Sequence, residues 1–212
     1  MLTSNGVIYI ATDSMRHVEL AARSAQAARK YLGGPRATLY TDQPLNSLFR
    51  EFDTIEVISN LTPGGRTTQD YCEGPAYFEA KIQILGRSLY SRNLYLDCDV
   101  MAEAPADIFG LLERFDIAVA HAPRRLSRWS RDLKIPESFP DFNVGLFLYR
   151  AGLDDFFARW LSNYREYPQP HDQTSFRKTV WETGVRVATL PPEYNRRPDH
   201  LAAGQELRIR HG

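Results

Sequence analysis

The sequence is poor in the features that mark several large classes of protein. It has only two cysteines, Cys72 and Cys98, which are too few for a framework of disulfides. Basic and acidic residues number 26 each, so no net charge draws the molecule to nucleic acid or to an anionic membrane. It has neither an apolar run as long as a membrane span nor the apolar core of a signal peptide. We therefore expect no nucleic-acid partner, no transmembrane segment and a cytoplasmic location.

The composition is that of an ordinary globular protein. Hydrophobic residues make up 43% and charged residues 25% of the chain, values typical of proteins that fold around an apolar core. No internal repeat or low-complexity tract divides the 212 residues, so we predict a single domain over 1–212. The sequence is also compatible with a homo-oligomer.

Short apolar strands alternate with amphipathic helices along the chain. The first strand, 7–10, precedes a helix over 16–32 whose apolar residues recur at three- and four-residue spacing. This alternation favours an α/β fold with one mainly parallel sheet covered by helices on both faces. The same patterns predict strands at 37–41, 55–58, 93–100, 117–120, 144–149, 185–190 and 207–210, helical segments at 45–52, 76–91, 153–164 and 172–183, and loops at 61–75 and 123–140.

A pair of carboxylates, Asp97 and Asp99, stands where the apolar run of the strand at 93–100 stops. In open α/β sheets ligands bind in the crevice outside the carboxyl ends of the strands. Carboxylates there suit Mg²⁺ or Mn²⁺, which in turn neutralise a diphosphate. Two alternatives remain open on the pattern alone. One is a solvated strand end, and the other is a phosphatase with an aspartyl nucleophile, which usually lies on the first strand.

The aspartate pair is part of a larger ordered set of segments. The set resembles the retaining glycosyltransferases of family 8, the group that includes glycogenin and bacterial galactosyltransferases. The resemblance covers most of the chain and implies a GT-A fold. The segments are Ile10-Ala11-Thr12-Asp13, Lys81, Leu94-Tyr95-Leu96-Asp97-Cys98-Asp99-Val100, Phe142-Asn143-Val144-Gly145, Asp172-Gln173, Leu190-Pro191-Pro192-Glu193-Tyr194-Asn195 and His211.

The resemblance implies a metal-dependent glycosyltransferase. Such an enzyme moves a hexose from a nucleotide-sugar, here expected to be a UDP-sugar, to a hydroxyl of a saccharide or another acceptor, with retention of configuration. Asp97, Asp99 and His211 are implied to hold the metal, and Asp97 is also implied to contact the donor. Because a neutral imidazole suits Mn²⁺ better than Mg²⁺, Mn²⁺ is the expected ion and Mg²⁺ the alternative.

Six further residues take roles from the resemblance. Thr12 and Asp13 are implied to bind the nucleoside, and Lys81 the donor phosphates. Asn143, Asp172 and Gln173 are implied to line the sugar pocket, where Asp172 binds hydroxyls and Gln173 steadies the reacting face of the sugar.

Four of these residues also have an ordinary structural interpretation. Asp13 and Asp172 each precede a predicted helix and can serve as its N-cap. Lys81 can be an exposed helix lysine, and Asn143 can satisfy a backbone group at a strand end. Cys98 is interpreted as a buried free thiol.

The loop at 123–140 admits two interpretations. A run of charge is usually a solvated surface. With a glycosyltransferase in view, the loop is also a candidate acceptor site in which Trp129 stacks on a sugar ring. Its cationic residues are Arg124, Arg125, Arg128, Arg131 and Lys134.

The sequence departs from the family pattern at two places, and two rival functions stay open. The sequence lacks the aromatic residue that family members often place a few positions after Thr12, where Arg16 or His17 stands nearby instead, and it lacks the family's lysine-containing tail after His211. A non-catalytic nucleotide-sugar binding module is one rival. The other is a nucleotidyltransferase, which would carry a glycine- and lysine-rich loop that 11–16 does not offer.

Overall fold

The computed structural model describes residues 5–44, 46–58, 75–122, 131, 133–166, 171–196 and 206–212. Its strands are β1 Asn5–Ala11, β2 Arg36–Thr41, β3 Thr54–Val57, β4 Arg92–Leu96, β5 Val100–Ala102, β6 Ile117–His121, β7 Phe142–Arg150, β8 Val187–Leu190, β9 Tyr194–Arg196 and β10 Ile209–His211. Its helices are α1 Met15–Tyr31, α2 Pro75–Gly86, α3 Asp154–Glu166 and α4 Gln173–Thr183, with 3₁₀ turns at Ser47–Glu51 and Phe109–Glu113.

Seven strands form the central sheet, in the order β3-β2-β1-β4-β7-β6-β8. Within it only β7 runs against its neighbours, since it pairs antiparallel with both β4 and β6. The prediction of an α/β fold with a mainly parallel sheet is therefore confirmed. The carboxyl ends of β1, β2 and β4 meet at one edge, and β7 begins at that same edge because its direction is reversed.

The sheet is buried on both faces, as a mainly parallel sheet must be. Alternate residues of β1 point to opposite sides: Val7 and Tyr9 pack with α1, whereas Ile8 and Ile10 pack with α2 and its neighbours. The apolar stripe expected on α1 is buried as predicted. The second face carries most of the aromatic residues of the two described core clusters, including Phe156, Phe157, Trp160 and Tyr164 of α3.

A second, three-stranded sheet has the order β5-β10-β9. The prediction of one strand over 93–100 is wrong at its end, because β4 stops at Leu96, the chain turns through 97–99, and Val100 begins β5. This turn passes the chain from the central sheet to the small one. The physical reason is the pairing of β5. It pairs antiparallel with β10, near the C-terminal end of the sequence, and not with a strand of the central sheet.

Two helical predictions also differ from the structure. The helix expected over 76–91 ends at Gly86, and Ser88 takes the left-handed conformation with φ of 45°. The side chain of Asn93 then bonds both the N–H and the carbonyl of Tyr90, which fixes a turn before β4. The helical segment expected at 45–52 is a short 3₁₀ turn, Ser47–Glu51, capped by the Asn46 side chain.

Some sequence predictions fall outside the described residues. They concern nearly all of the loop at 61–75, Cys72, Trp129 and the cations Arg124, Arg125 and Arg128. Arg131 and Lys134 are described, and both are exposed. Among the described helices none combines the length and apolarity needed to cross a membrane.

Candidate metal centre and adjoining pocket

Asp97, Asp99 and His211 meet at the carboxyl edge of the central sheet. Asp97 directly follows β4, Asp99 lies in the next turn, and His211 ends β10. One ligand atom from each of the three lies within 4.8 Å of the others, an arrangement that can hold a metal ion. Nε2 of His211 stands 3.9 Å from Oδ2 of Asp97 and 3.7 Å from Oδ1 of Asp99. Two carboxylates with one imidazole form a donor set that suits Mn²⁺.

Pairing of two short strands brings His211 to the carboxylates. β10 runs antiparallel to β5 with His211 opposite Val100, the residue after Asp99. The Gly212 N–H also donates to the carbonyl of Asp99 over 3.1 Å. The imidazole is buried, with 8% of its side chain exposed, whereas 46% of the Asp99 side chain is exposed. The cluster therefore has a fixed histidine on its inner side and an accessible carboxylate on its outer side.

The side chain of Tyr95 orients Asp97. Its hydroxyl donates to Oδ1 of Asp97 over 2.6 Å, and the ring is fully buried. Burial raises the pKa of Tyr95 well above its ordinary value, so the phenol keeps the proton that it donates. Sequence reasoning assigned no role to this residue. The available signal was its position two residues before Asp97, since residues i and i+2 of a strand share a face.

Lys81 is buried in the floor of the pocket next to Asp97. Only 3% of its side chain is exposed, and Nζ stands 2.9 Å from Oδ2 of Asp172 and 3.9 Å from Oδ1 of Asp97. Its ammonium also lies 4.4 Å from the centre of the Tyr95 ring, within the range of a cation–π contact. The interpretation of Lys81 as an exposed helix lysine is therefore wrong.

Asp172 stands at the N-cap position of α4 without capping the helix. Its side chain makes no capping hydrogen bond, and its carboxylate forms the buried ion pair with Lys81 instead. The helix-cap interpretation is wrong for this side chain. Burial raises the pKa of Asp172, Lys81 opposes that effect, and the charge of Asp97 adds to it.

Residues from α2, β4, β7 and α4 together line one pocket. Asp97 and Gln173 both reach it, Gln173 as the first residue of α4. Among the described residues of the cluster and the pocket, the carboxyl groups of Asp97, Asp99 and Asp172 outnumber the ammonium of Lys81, so the local charge favours a bound cation. The full lining is Tyr77, Phe78, Lys81, Asp97, Val144, Gly145, His171, Asp172 and Gln173.

Asn143 satisfies backbone groups in the irregular start of β7. Its side-chain oxygen accepts the N–H of Gly145 over 2.9 Å, and its carbonyl accepts Nδ2 of Asn195 over 3.5 Å. The structural interpretation of Asn143, a partner for backbone at a strand end, is thus confirmed. The register of β7 against β6 shifts here, since Val119 faces Phe147 while the next residue, Ala120, faces Asn143. Within this irregular stretch the carbonyl of Gly145 accepts the N–H of Asp97 over 2.8 Å, which ties β7 to the cluster.

Thr12 and Asp13 form the turn after β1, beside the cluster. Asp13 is left-handed, with φ of 67°, and its N–H is held by both carboxylate oxygens of Asp42 at 3.0 and 3.1 Å. Ser14, not Asp13, caps α1, so the N-cap interpretation of Asp13 is wrong. The carbonyl of Thr12 is occupied by the N–H of Ser14 and by Nδ1 of His17. Sequence reasoning missed Asp42, which fixes this turn from the end of β2.

Cys98 lies between the two aspartates and faces the opposite side of the turn. Its thiol donates to the carbonyl of Ile10 over 3.4 Å, which ties the turn to β1. Burial and the charges of Asp97 and Asp99 raise the pKa of the thiol. Cys98 is partly rather than fully buried, and it remains a protonated, structural thiol.

Gly145 leaves the room that Asp97 and His211 occupy. A Cβ at this position would lie 2.6 Å from Cε1 of His211 and would overlap Oδ2 of Asp97. We therefore expect Gly145→Ala to push both side chains from their places. If the cluster holds Mn²⁺, its binding should weaken about 10-fold or more, the effect of disturbing the support of a metal site. Titration of Mn²⁺ followed by electron paramagnetic resonance measures this effect.

A matched substitution separates the site from general packing. In Gly86→Ala the new methyl group meets Cβ of Phe157 at 3.2 Å, on α2 and away from the ligands. We expect that variant to lose some thermal stability and to keep the Mn²⁺ affinity of the parent. Equal Mn²⁺ affinities in the parent and Gly145→Ala proteins would contradict the close approach at Gly145.

The chain matches no protein-family model, and no curated protein matches it significantly. A function is therefore argued from the contacts described above and not from similarity to known proteins. What they establish is a mixed α/β domain with an Asp-Asp-His cluster capable of holding a metal ion, beside a pocket with a buried Lys–Asp pair.

Proposed function

We propose that this protein is a metal-dependent glycosyltransferase that uses a UDP-sugar as donor. The observation that carries the proposal is the convergence of Asp97, Asp99 and His211 at the carboxyl ends of parallel strands. That edge is where open α/β sheets bind nucleotides and other ligands. The donor set suits Mn²⁺, with Mg²⁺ as the alternative.

The observed architecture is compatible with a GT-A domain. A GT-A fold is expected to have one mainly parallel sheet with helices on both faces and a small antiparallel piece toward the C-terminus; in the small sheet observed, β5 pairs antiparallel with β10 and β9 pairs parallel with it. The seven-stranded sheet and the β5-β10-β9 sheet correspond to these two parts. The ordered segments that resemble family 8 glycosyltransferases fall at the edge where the two sheets approach each other, around Asp97 and His211.

The proposed chemistry divides between the metal and the residues of the pocket. When bound, Mn²⁺ would supply positive charge against the diphosphate and against the charge that develops on the departing nucleotide. Tyr95 holds Asp97 through its hydroxyl, so this ligand is fixed before the donor arrives. In the same pocket burial raises the pKa of Asp172 and Lys81 opposes that effect. The Asp172 carboxyl group would form hydrogen bonds with hydroxyls of the sugar. The amide of Gln173 offers both a donor and an acceptor to the reacting face of the sugar.

Calorimetric titration of UDP tests the donor site. We expect UDP to bind in the presence of Mn²⁺ and to lose its binding when a chelator is in excess, because the diphosphate needs the cation to offset the carboxylates. UDP-hexoses are then screened for hydrolysis and for transfer to saccharide acceptors. Binding with turnover is the expected result.

Three other outcomes would change the proposal in different ways. Metal-dependent UDP binding without turnover of any UDP-sugar would reduce it to a nucleotide-sugar binding module. Preference for another nucleoside diphosphate would replace the donor and keep the metal site. Absence of nucleotide binding with and without Mn²⁺ would overturn it.

A further inference from the structure

Asn195 contacts the edge of the His211 ring that carries Nδ1, whereas Nε2 of the ring faces the carboxylates. Oδ1 of Asn195 lies 2.6 Å from Nδ1 of His211, while Nε2 of the same ring faces Asp97 and Asp99. A metal-binding histidine usually donates its second ring N–H to a fixed acceptor, which sets its tautomer and orientation. Asn195 stands where such an acceptor belongs.

A backbone carbonyl fixes which end of the Asn195 amide faces the histidine. Nδ2 of Asn195 donates to the carbonyl of Asn143 in a long hydrogen bond of 3.5 Å. A flipped amide would set its oxygen against that carbonyl and its NH₂ against Nδ1 of His211. The carbonyl accepts only, so it selects the orientation with Oδ1 toward His211. The facing ring nitrogen, Nδ1, must then carry a proton, so that in the neutral ring Nε2 is the nitrogen with the free lone pair.

The backbone of β9 is bent at Asn195, which aims the side chain at His211. Tyr194 faces Ile209 and Arg196 faces Arg210, so Asn195 is the extra residue of a bulge. Its φ is 70°, in the left-handed region that asparagine, aspartate and glycine tolerate best. Bulges beside functional sites often re-aim one side chain. The bulge and the hydrogen bonds are independent observations that concern the same residue.

We propose that Asn195 is a positioning residue that locks His211 in the Nδ1–H tautomer, with the Asn143 carbonyl orienting its amide. The inference rests on the metal site of the proposed function. It adds to that site a residue that contacts His211. The chain of bonds runs from the Asn143 carbonyl through the Asn195 amide to the imidazole, and it leaves Nε2 ready to bind a cation. Asn195 itself does not touch the metal.

The test compares Mn²⁺ binding by two variants of Asn195, with Mn²⁺ alone as the probe. Asn195→Gly removes the side chain and keeps the left-handed backbone free of strain. Asn195→Asp keeps an acceptor oxygen at the same place. We expect Asn195→Gly to bind Mn²⁺ about 10- to 100-fold more weakly, as for other outer partners of metal ligands. In pulsed electron paramagnetic resonance, the nitrogen modulation from the imidazole should also lose amplitude. Asn195→Asp keeps an oxygen toward Nδ1 of His211 but loses the amide that donates to the Asn143 carbonyl, so it should retain more of both properties than Asn195→Gly.

A matched control is provided by Ser88→Gly, which also removes a side chain at a left-handed position, with φ of 45°, before β4. It should bind Mn²⁺ as the parent does. Asn195→Gly with parental affinity and nitrogen modulation would overturn the positioning role while leaving the metal site intact. No Mn²⁺ binding by the parent protein would count against the metal site itself and therefore against both proposals.

A second measurement does not depend on the folding of any Asn195 variant. In the metal-free parent protein with ¹⁵N-labelled histidine, long-range ¹H–¹⁵N spectra report which ring nitrogen carries the proton. The signals of His211 are assigned by their loss in His211→Gln. The spectra are recorded at a pH at which the ring is neutral. A proton on Nδ1 alone is the expected result, and a proton on Nε2 alone would overturn the inference.

Discussion

Asp99→Ala is expected to abolish Mn²⁺-dependent binding of UDP while the domain stays folded. Loss of an outer partner alone weakens a metal site about 10- to 100-fold, and loss of a ligand should exceed that, so we expect more than about 100-fold. Stability should change little, because 46% of the Asp99 side chain is exposed and a surface carboxylate contributes little to folding. Calorimetry of UDP with Mn²⁺ measures the first effect, and thermal unfolding measures the second.

A matched carboxylate makes this result specific. Asp155 is an exposed residue of the first turn of α3, outside the cluster. Asp155→Ala removes the same charge from the same protein and should bind UDP as the parent does. If Asp99→Ala kept Mn²⁺-dependent UDP binding and turnover, Asp99 would not be a ligand and the proposed mechanism would fall.

Lys81→Met is expected to destabilise the fold by about 3–5 kcal/mol, the usual result of removing one partner of a buried ion pair. Methionine fills a similar volume but leaves the Asp172 carboxylate, which is 4% exposed, without the ammonium 2.9 Å away. The measurement is urea unfolding at pH 7. Lys134→Met, at an exposed lysine before β7, is the control and should change stability by less than about 0.5 kcal/mol.

The pH dependence of the Lys81→Met defect follows from the direction of the Asp172 pKa. Burial already raises this pKa above 3.8, and loss of Lys81 raises it further. A carboxyl group whose folded-state pKa is raised binds more protons when folded, so stability falls as the pH rises through that window. The defect should therefore be largest at neutral pH and should shrink as the pH falls toward 3.8.

A second substitution tests whether the pair itself causes the defect. Asp172→Asn in the Lys81→Met background removes the unpaired carboxylate, so we expect the double variant to be more stable than Lys81→Met alone. Equal or lower stability of the double variant would mean that Lys81 acts through packing on Tyr95 rather than through its charge.

Much of the fold could be predicted because the relevant signals are local. The apolar run of β1 and the stripe of α1 follow from periodicity, and both elements occur within two residues of their predicted ends. The helices predicted over 76–91 and 45–52 failed for local reasons, a turn fixed by Asn93 and a 3₁₀ turn capped by Asn46, whereas the strand predicted over 93–100 failed because of a distant partner. The break between β4 and β5 depends on β10, a strand from the far end of the chain.

The candidate site was predictable in its residue types and less so in its contacts. The aspartate pair at the end of an apolar strand is visible in the sequence, and His211 was suggested through the family resemblance. The Lys81–Asp172 pair was not expected, since an isolated lysine on a helix and an aspartate before a helix each have a more common explanation. Tyr95, Gly145 and Asn195 lie within the segments that were singled out, yet their roles depend on what faces them in space.

The sequence by itself determined the alternation of strands and helices, the α/β class and the position of two carboxylates at a strand end. These follow from the period of apolar residues and from side chains near one another in the chain. Only the tertiary structure decided that His211 meets Asp99, that Lys81 is buried against Asp172 and that Asn195 holds the imidazole. Each of these contacts joins residues far apart in the chain, and strand order, register and one bulge bring them together. Such pairings arise from the packing of whole elements, which no local pattern encodes.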